Sequence, residues 1–171
     1  MNNSALLVID IQNDYFPGGL FPLWNTENTL ANINTAIKKA AEQNMEVIYV
    51  QHIANPEQGK APFFNADTCG VELHNGLRQA QKNGHHIVKS YADSFEQTSL
   101  NDLLQSKSID TLYICGMMTQ NCVTHTALSK SAEQYNVYIL SDCCTTLDEM
   151  IHKIALNGVS TRIPLVTSSQ M

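Results

Sequence analysis

Three side chains of this sequence could serve one reaction although they lie far apart along the chain. Cys122 falls in Leu112-Tyr113-Ile114-Cys115-Gly116-Met117-Met118-Thr119-Gln120-Asn121-Cys122-Val123-Thr124, which reads as a strand, a glycine bend and a helix start. A thiol near a helix N-terminus meets free amides and the positive end of the dipole, which favour the thiolate, and the same N–H groups could receive an oxyanion. Taken alone, a cysteine in a helix is more often a small buried hydrophobe. Asp10 ends the apolar run Leu7-Val8-Ile9. A carboxylate there is held by a rigid element and partly desolvated, a usable proton acceptor, or else it caps the next turn. Lys89 closes His86-Ile87-Val88-Lys89 and either projects its ammonium over the same crevice or is a solvated end-of-strand lysine.

These residues need elements to position them. Ala5 to Ile9, Val47 to Val50, Ile87 to Val88, Leu112 to Cys115, Val137 to Leu140 and Ile163 to Val166 read as short strands buried on both faces. Between them, Leu30, Ile33, Ile37 and Ala41 recur at helical spacing, as do Leu100, Leu103 and Leu104, and Thr119 to Gln134 is rich in helix formers behind a capping Thr. Strands alternating with helices predict an α/β protein, a doubly wound parallel sheet covered on both faces. Two Pro- and Gly-containing loops, Phe16 to Pro22 and Asn55 to Asp67, follow strand C-termini. Ligands of such sheets bind at those carboxyl ends, so both loops are candidate pocket walls.

The chain has 171 residues, which predicts one domain over 1–171, and its 43% hydrophobic content is that of a globular protein. With a net charge of −6 and ten Lys and Arg spread along the chain, neither nucleic acid nor an anionic membrane is an expected partner. The start, Met1-Asn2-Asn3-Ser4, lacks a basic region and the apolar run behind it stops at Asp10, too soon for a signal peptide or a span, so a cytoplasmic location is expected. Five cysteines without a paired C-x-x-C spacing do not make a disulfide framework or a zinc knuckle. Cys115 reads as a core residue; Cys69 and the adjacent Cys143 and Cys144 have no base beside them in sequence.

Three motifs, Leu7-Val8-Ile9-Asp10-Ile11-Gln12-Asn13-Asp14-Tyr15, Lys89-Ser90-Tyr91-Ala92-Asp93-Ser94-Phe95 and Gly116-Met117-Met118-Thr119-Gln120-Asn121-Cys122-Val123, occur in the order in which the chain resembles the isochorismatase-like cysteine hydrolase family. Ser141-Asp142 and His152 fit the same pattern. The resemblance implies a three-layer α/β/α fold around a parallel sheet of about six strands. It also implies a catalytic triad of Asp10, Lys89 and Cys122, a cis peptide between Met117 and Met118, and an oxyanion hole made by the Met118 and Cys122 amides. The reaction so implied is attack of the thiolate on a carbonyl carbon of a small-molecule amide.

The chain departs from the nicotinamidase branch of that family, which carries an Asp-x-His pair after the second strand. Asn44 to Ala66 contains no Asp, and His52 is its only His. One His cannot supply the protein ligands of a catalytic zinc, so neither a metal nor another cofactor is expected. His74 and His125 read as helix residues. Phe16, Phe21, Trp24 and Tyr91 could sandwich a flat substrate, and Gln12 could bond a substrate carbonyl or orient Lys89. Vinyl-ether hydrolysis of isochorismate is a second reading, weakened because Arg78 and Arg162 stand alone where a dicarboxylate needs a pair. A thiol-redox or binding module is a third, in which Asp10 and Lys89 would have no use. A homo-oligomer is expected, by likeness to relatives that share pocket residues between subunits.

Overall fold

The computed structural model describes residues 3–78 and 84–171; Met1 and Asn2 of the N-terminal reading lie outside them. Six parallel strands, β1 (Ser4–Ile9), β2 (Glu46–His52), β3 (His85–Lys89), β4 (Thr111–Met117), β5 (Asn136–Thr145) and β6 (Leu165–Val166), pair in the order β3-β2-β1-β4-β5-β6. The main helices are α1 (Thr26–Glu42), α2 (Leu100–Ser106), α3 (Thr124–Ala127) and α4 (Glu149–Ser160).

β1 shows why the sheet has two covered faces. Every one of its residues is buried, and alternate side chains go to opposite layers. Leu6 and Val8 join the cluster that contains Ile33, Ala36, Ile37 and Ala40 of α1, whereas Ala5, Leu7 and Ile9 join Leu100 and Leu104 of α2, Ala127 of α3 and Val159 of α4. This is the three-layer, doubly wound arrangement. From β1 the chain winds outward to β2 and β3, then returns to β4 on the other side of β1. The crevice therefore opens between the carboxyl ends of β1 and β4.

Three local differences from the sequence reading have physical causes. β6 is shorter than Ile163 to Val166 because the Ile163 N–H still turns back to Val159 and Pro164 has no N–H to give a ladder. β5 is longer than Val137 to Leu140 because a register shift between Ile114 and Gly116 of β4 lets β5 resume pairing at Cys144. Thr119 to Gln134 is not one helix but a π turn (Thr119–Val123), the short α3 and a 3-10 turn (Lys130–Gln134). Its Ser and Thr side chains bond the local backbone instead: Thr124 Oγ1 to the Asn121 carbonyl, and the Ser131 N–H to Ser129 Oγ. The expected Thr cap is also missing, because the Thr119 hydroxyl pairs with His152 Nδ1 at 2.9 Å.

Gly116, the last residue but one of β4, has φ 125°, and a Cβ built on it would lie 2.0 Å from the Ile9 carbonyl oxygen. The Met117–Met118 peptide that follows is cis. No helix among the described residues is long and apolar enough to cross a membrane.

Candidate active site

The carboxyl ends of four adjacent strands each deliver one polar side chain to the crevice. In the sheet's own order they are Lys89 from β3, His52 from β2, Asp10 directly after β1 and Cys122 from the π turn after β4. His52 and Lys89 are register partners. Asp10 has left-handed φ of 55°, a conformation Asp tolerates better than most residues, while its N–H still bonds the Val50 carbonyl at 2.9 Å. The carboxylate is thereby turned off the sheet without loss of the ladder.

The Lys89 ammonium is the centre of the group. Its Nζ lies 3.1 Å from Asp10 Oδ2, 3.1 Å from Cys122 Sγ, 3.0 Å from His52 Nδ1 and 3.0 Å from the Tyr91 carbonyl. The Lys89 and Asp10 side chains are both fully buried. Burial alone would lower the Lys89 pKa, but Asp10 and Cys122 outweigh it and raise the value, so the amine stays charged. Apart from that ion pair and the Cys122 thiol, the two Asp10 oxygens have no partner. A buried carboxylate without backbone donors is built to accept a proton.

The thiol itself corrects the sequence reading. Burial, and then the Asp10 charge, raise the Cys122 pKa well above the usual thiol range, and Lys89 only partly opposes them. The expected helix dipole contributes little, since a five-residue π turn and the four-residue α3 are too short to sum one. The thiol therefore holds its proton more tightly than a free cysteine does, and needs an acceptor beside it to give that proton up. Because each ion compensates the other, Lys89→Met is expected to destabilise the fold by about 3–5 kcal/mol, and Asp10→Asn added to it to recover much of the loss. Urea titration of both variants measures this; equal stability of the single and double variants would contradict it.

The residues expected to bind substrate divide. Gln12 is fully buried, and its amide is spent on backbone, donating to the His52 and Val71 carbonyls and accepting from the His52 N–H. It is a clamp on β2, with nothing left for a substrate. Phe16 is buried and stacks on His74 at 3.9 Å, and His74 lies in a loop rather than on a helix; His125 is in α3. Phe21 packs with Tyr15 and Phe63, Trp24 lies 37% exposed with its ring 6.1 Å from that of His152, and Tyr91 is 40% exposed. Tyr15, whose buried hydroxyl has its pKa raised by desolvation and then by Asp10 and Cys122, heads an aromatic cluster with Phe63 and Phe64 that residue patterns did not single out. The Asn55 to Asp67 loop, already read as a wall, is the signal that would have found it. Asp14 ties that loop down, accepting from the Phe64 and Leu20 N–H groups at 2.7 and 3.2 Å.

Among the described residues one trio could hold a metal ion, Asp10, His52 and Cys122, whose ligand atoms lie within 4.8 Å of one another. The trio already surrounds a cation of the chain's own. Lys89 Nζ is already within 3.1 Å of an atom of each, so a second cation would face a fixed buried charge.

The family model described as the isochorismatase domain matches residues 4–171. The uncharacterized isochorismatase family protein YddQ of Bacillus subtilis is 39% identical over 143 residues, 84% of this chain and 78% of that protein. A putative isochorismatase hydrolase from Oleispira antarctica superposes with a TM-score of 0.87 at 29% identity, covering 99% of this chain and 95% of its own. The pyrazinamidase of Pyrococcus horikoshii, solved in complex with zinc, superposes with a TM-score of 0.83 at 25% identity over 96% of this chain and 99% of its own. Sequence match and shared architecture agree: this chain belongs to the isochorismatase family and is one of its hydrolases.

Proposed function

We propose that the protein hydrolyses a C–N bond of a small, uncharged amide through a thioester on Cys122, without a bound metal ion. One observation carries the reading: the Cys122 sulfur and a carboxylate with no backbone donor meet on one buried ammonium. Asp10 takes the thiol proton, and the sulfur attacks the carbonyl carbon. The amides of Met118 and Cys122 receive the oxyanion. Asp10 passes its proton to the leaving nitrogen, the C–N bond breaks, and a thioester remains. Water gives a proton to Asp10 as it attacks the thioester carbon; the C–S bond breaks and the proton returns to sulfur.

The site's one ammonium is already surrounded by acceptors, which leaves no cation for a dicarboxylate. Arg162 pairs with Glu133 at 3.9 Å and lines a hollow with Asn136 and Val137, at the opposite end of the sheet. The relative named as a pyrazinamidase adds weight to an amide over a vinyl ether. All five cysteines are free, in keeping with a reducing, cytoplasmic setting. The test is an ammonia-release screen over small amides, ureides and aryl carboxamides, with mass spectrometry of Cys122 during turnover. An acyl adduct on Cys122 supports the reading; oxidised sulfur as the sole adduct, with no amide turned over, overturns it.

We also propose that a second copy of the chain covers α4. Met150 and Ile154 on this helix are 72% and 65% exposed. A two-fold axis at Ile154 would set Met150 against Gly158 of the other copy, where an added Cβ meets nothing within 4 Å. Ile154→Glu should therefore shift the protein to monomers in light scattering; a wild type that is already monomeric would defeat the idea.

A further inference from the structure

The Lys89 ammonium has three N–H bonds and four acceptors within 3.1 Å, so one acceptor must change with the state of the site. In the resting site the sulfur is protonated and a weak acceptor, leaving His52 Nδ1, the Tyr91 carbonyl and Asp10 as the three good ones. Once the thiol proton has crossed to Asp10, the carboxyl is neutral and the thiolate is the strong acceptor. Two contacts are then common to both states, and one N–H swings from Asp10 to Cys122.

We propose that His52 is a positioning residue, whose neutral imidazole and the Tyr91 carbonyl fix two N–H bonds of Lys89 while the third follows the proton between Asp10 and Cys122. The inference rests on Cys122 as the nucleophile and goes beyond that reading in assigning work to a residue outside the triad. An ammonium can only donate, so Nδ1 is unprotonated and the ring proton sits on Nε2. The ring is held for this purpose: Gln12 grips both the N–H and the carbonyl of His52 at 2.8 Å, and the Phe64 ring lies 5.9 Å away. His52 also stands between Lys89 and Asp10 in the order of strand ends.

The charged and titratable groups facing the ring are Lys89 of β3, Asp10 after β1 and Cys122 of the π turn. Burial and then Lys89 lower the His52 pKa, and Asp10 opposes them less strongly, so the ring is neutral at and below the usual imidazole midpoint of about 6.5. Acid adds its proton at Nδ1, the atom Lys89 uses. The contact is present above the unfolded midpoint and lost as pH falls through the lowered folded value.

The experiment follows alkylation of Cys122 by iodoacetamide across pH, read by peptide mass spectrometry so that the exposed Cys69 does not interfere. His52→Leu removes the acceptor; His52→Asn puts a non-titrating oxygen close to the place of Nδ1. Leu is expected to slow Cys122 alkylation roughly tenfold to a hundredfold, the scale of one charge-assisted hydrogen bond, with Asn within about threefold of wild type. Both rates fall with acid as the thiolate is lost, and the wild type should fall more steeply, with an additional acid limb that the Asn variant lacks. A Leu variant at the wild-type rate, or an Asn variant with the same acid limb, overturns the proposal. If Leu fails to fold, the acid limb of Asn decides alone. No amide is needed, so a failure of the amidase reading shows separately, in the ammonia-release screen.

Discussion

Cys122→Ala is expected to lower amide turnover by about 10⁴-fold or more while leaving a folded protein, since removing one member of a nucleophilic unit forfeits the whole unit. The stability cost is small, about 1 kcal/mol, because the side chain lost is one buried sulfur in a site 2% exposed. Cys122→Ser should be nearly as inactive. Its oxygen is shorter-reaching and harder to deprotonate, and Asp10 has only Lys89 to help it. Steady-state ammonia release beside a thermal melt separates the two effects, and a well-folded Ala variant with wild-type turnover would remove Cys122 from the mechanism.

Gly116→Ala should be the most damaging single substitution for the fold outside the ion pair. Two independent obstacles meet there. The backbone at φ 125° is closed to an L side chain, and the new methyl would lie 2.0 Å from the Ile9 carbonyl oxygen, a main-chain atom of the central strand that cannot swing aside. Relief requires β1 and β4 to part, which breaks the pairing of Ile9 with Gly116 and displaces both Asp10 and the turn that carries Cys122. The expected loss is about 5 kcal/mol, comparable with the whole stability of a marginal domain. Soluble yield and a urea midpoint read the outcome; Gly116→Ala at the wild-type midpoint would refute it.

Residue patterns carried the strands well because a strand buried on both faces has a plain signature, a short apolar run, and β1, β2 and β4 all show it. Strand position left Asp10, Lys89 and Cys122 each with a mundane alternative, and it was the three motifs shared with the family that joined them, while the parallel architecture explains why such carboxyl ends gather. What escaped depended on tertiary partners. Gln12 looked free because its backbone partners, His52 and Val71, are 40 and 59 residues away. His52 was weighed only as a metal ligand, since nothing in sequence shows that β2 and β3 align it with Lys89. The thiol was read as acidified because a helix start was assumed to be long, whereas the Ser- and Thr-rich stretch broke into short turns and burial decided the direction.

The order of strand ends also bears on when the thiol meets its base during folding. Lys89, His52, Asp10 and Cys122 come from β3, β2, β1 and the segment after β4, so no hairpin, single βαβ unit or N-terminal fragment ending before Cys122 contains the set. Contacts of such sequence separation close late, and parallel pairing is intrinsically slow to form. Until then Cys122 is an ordinary thiol on a partly ordered chain, and Lys89 an ordinary solvated lysine. The distance along the chain between these residues keeps the proton acceptor away from the thiol until the fourth strand has docked against the first.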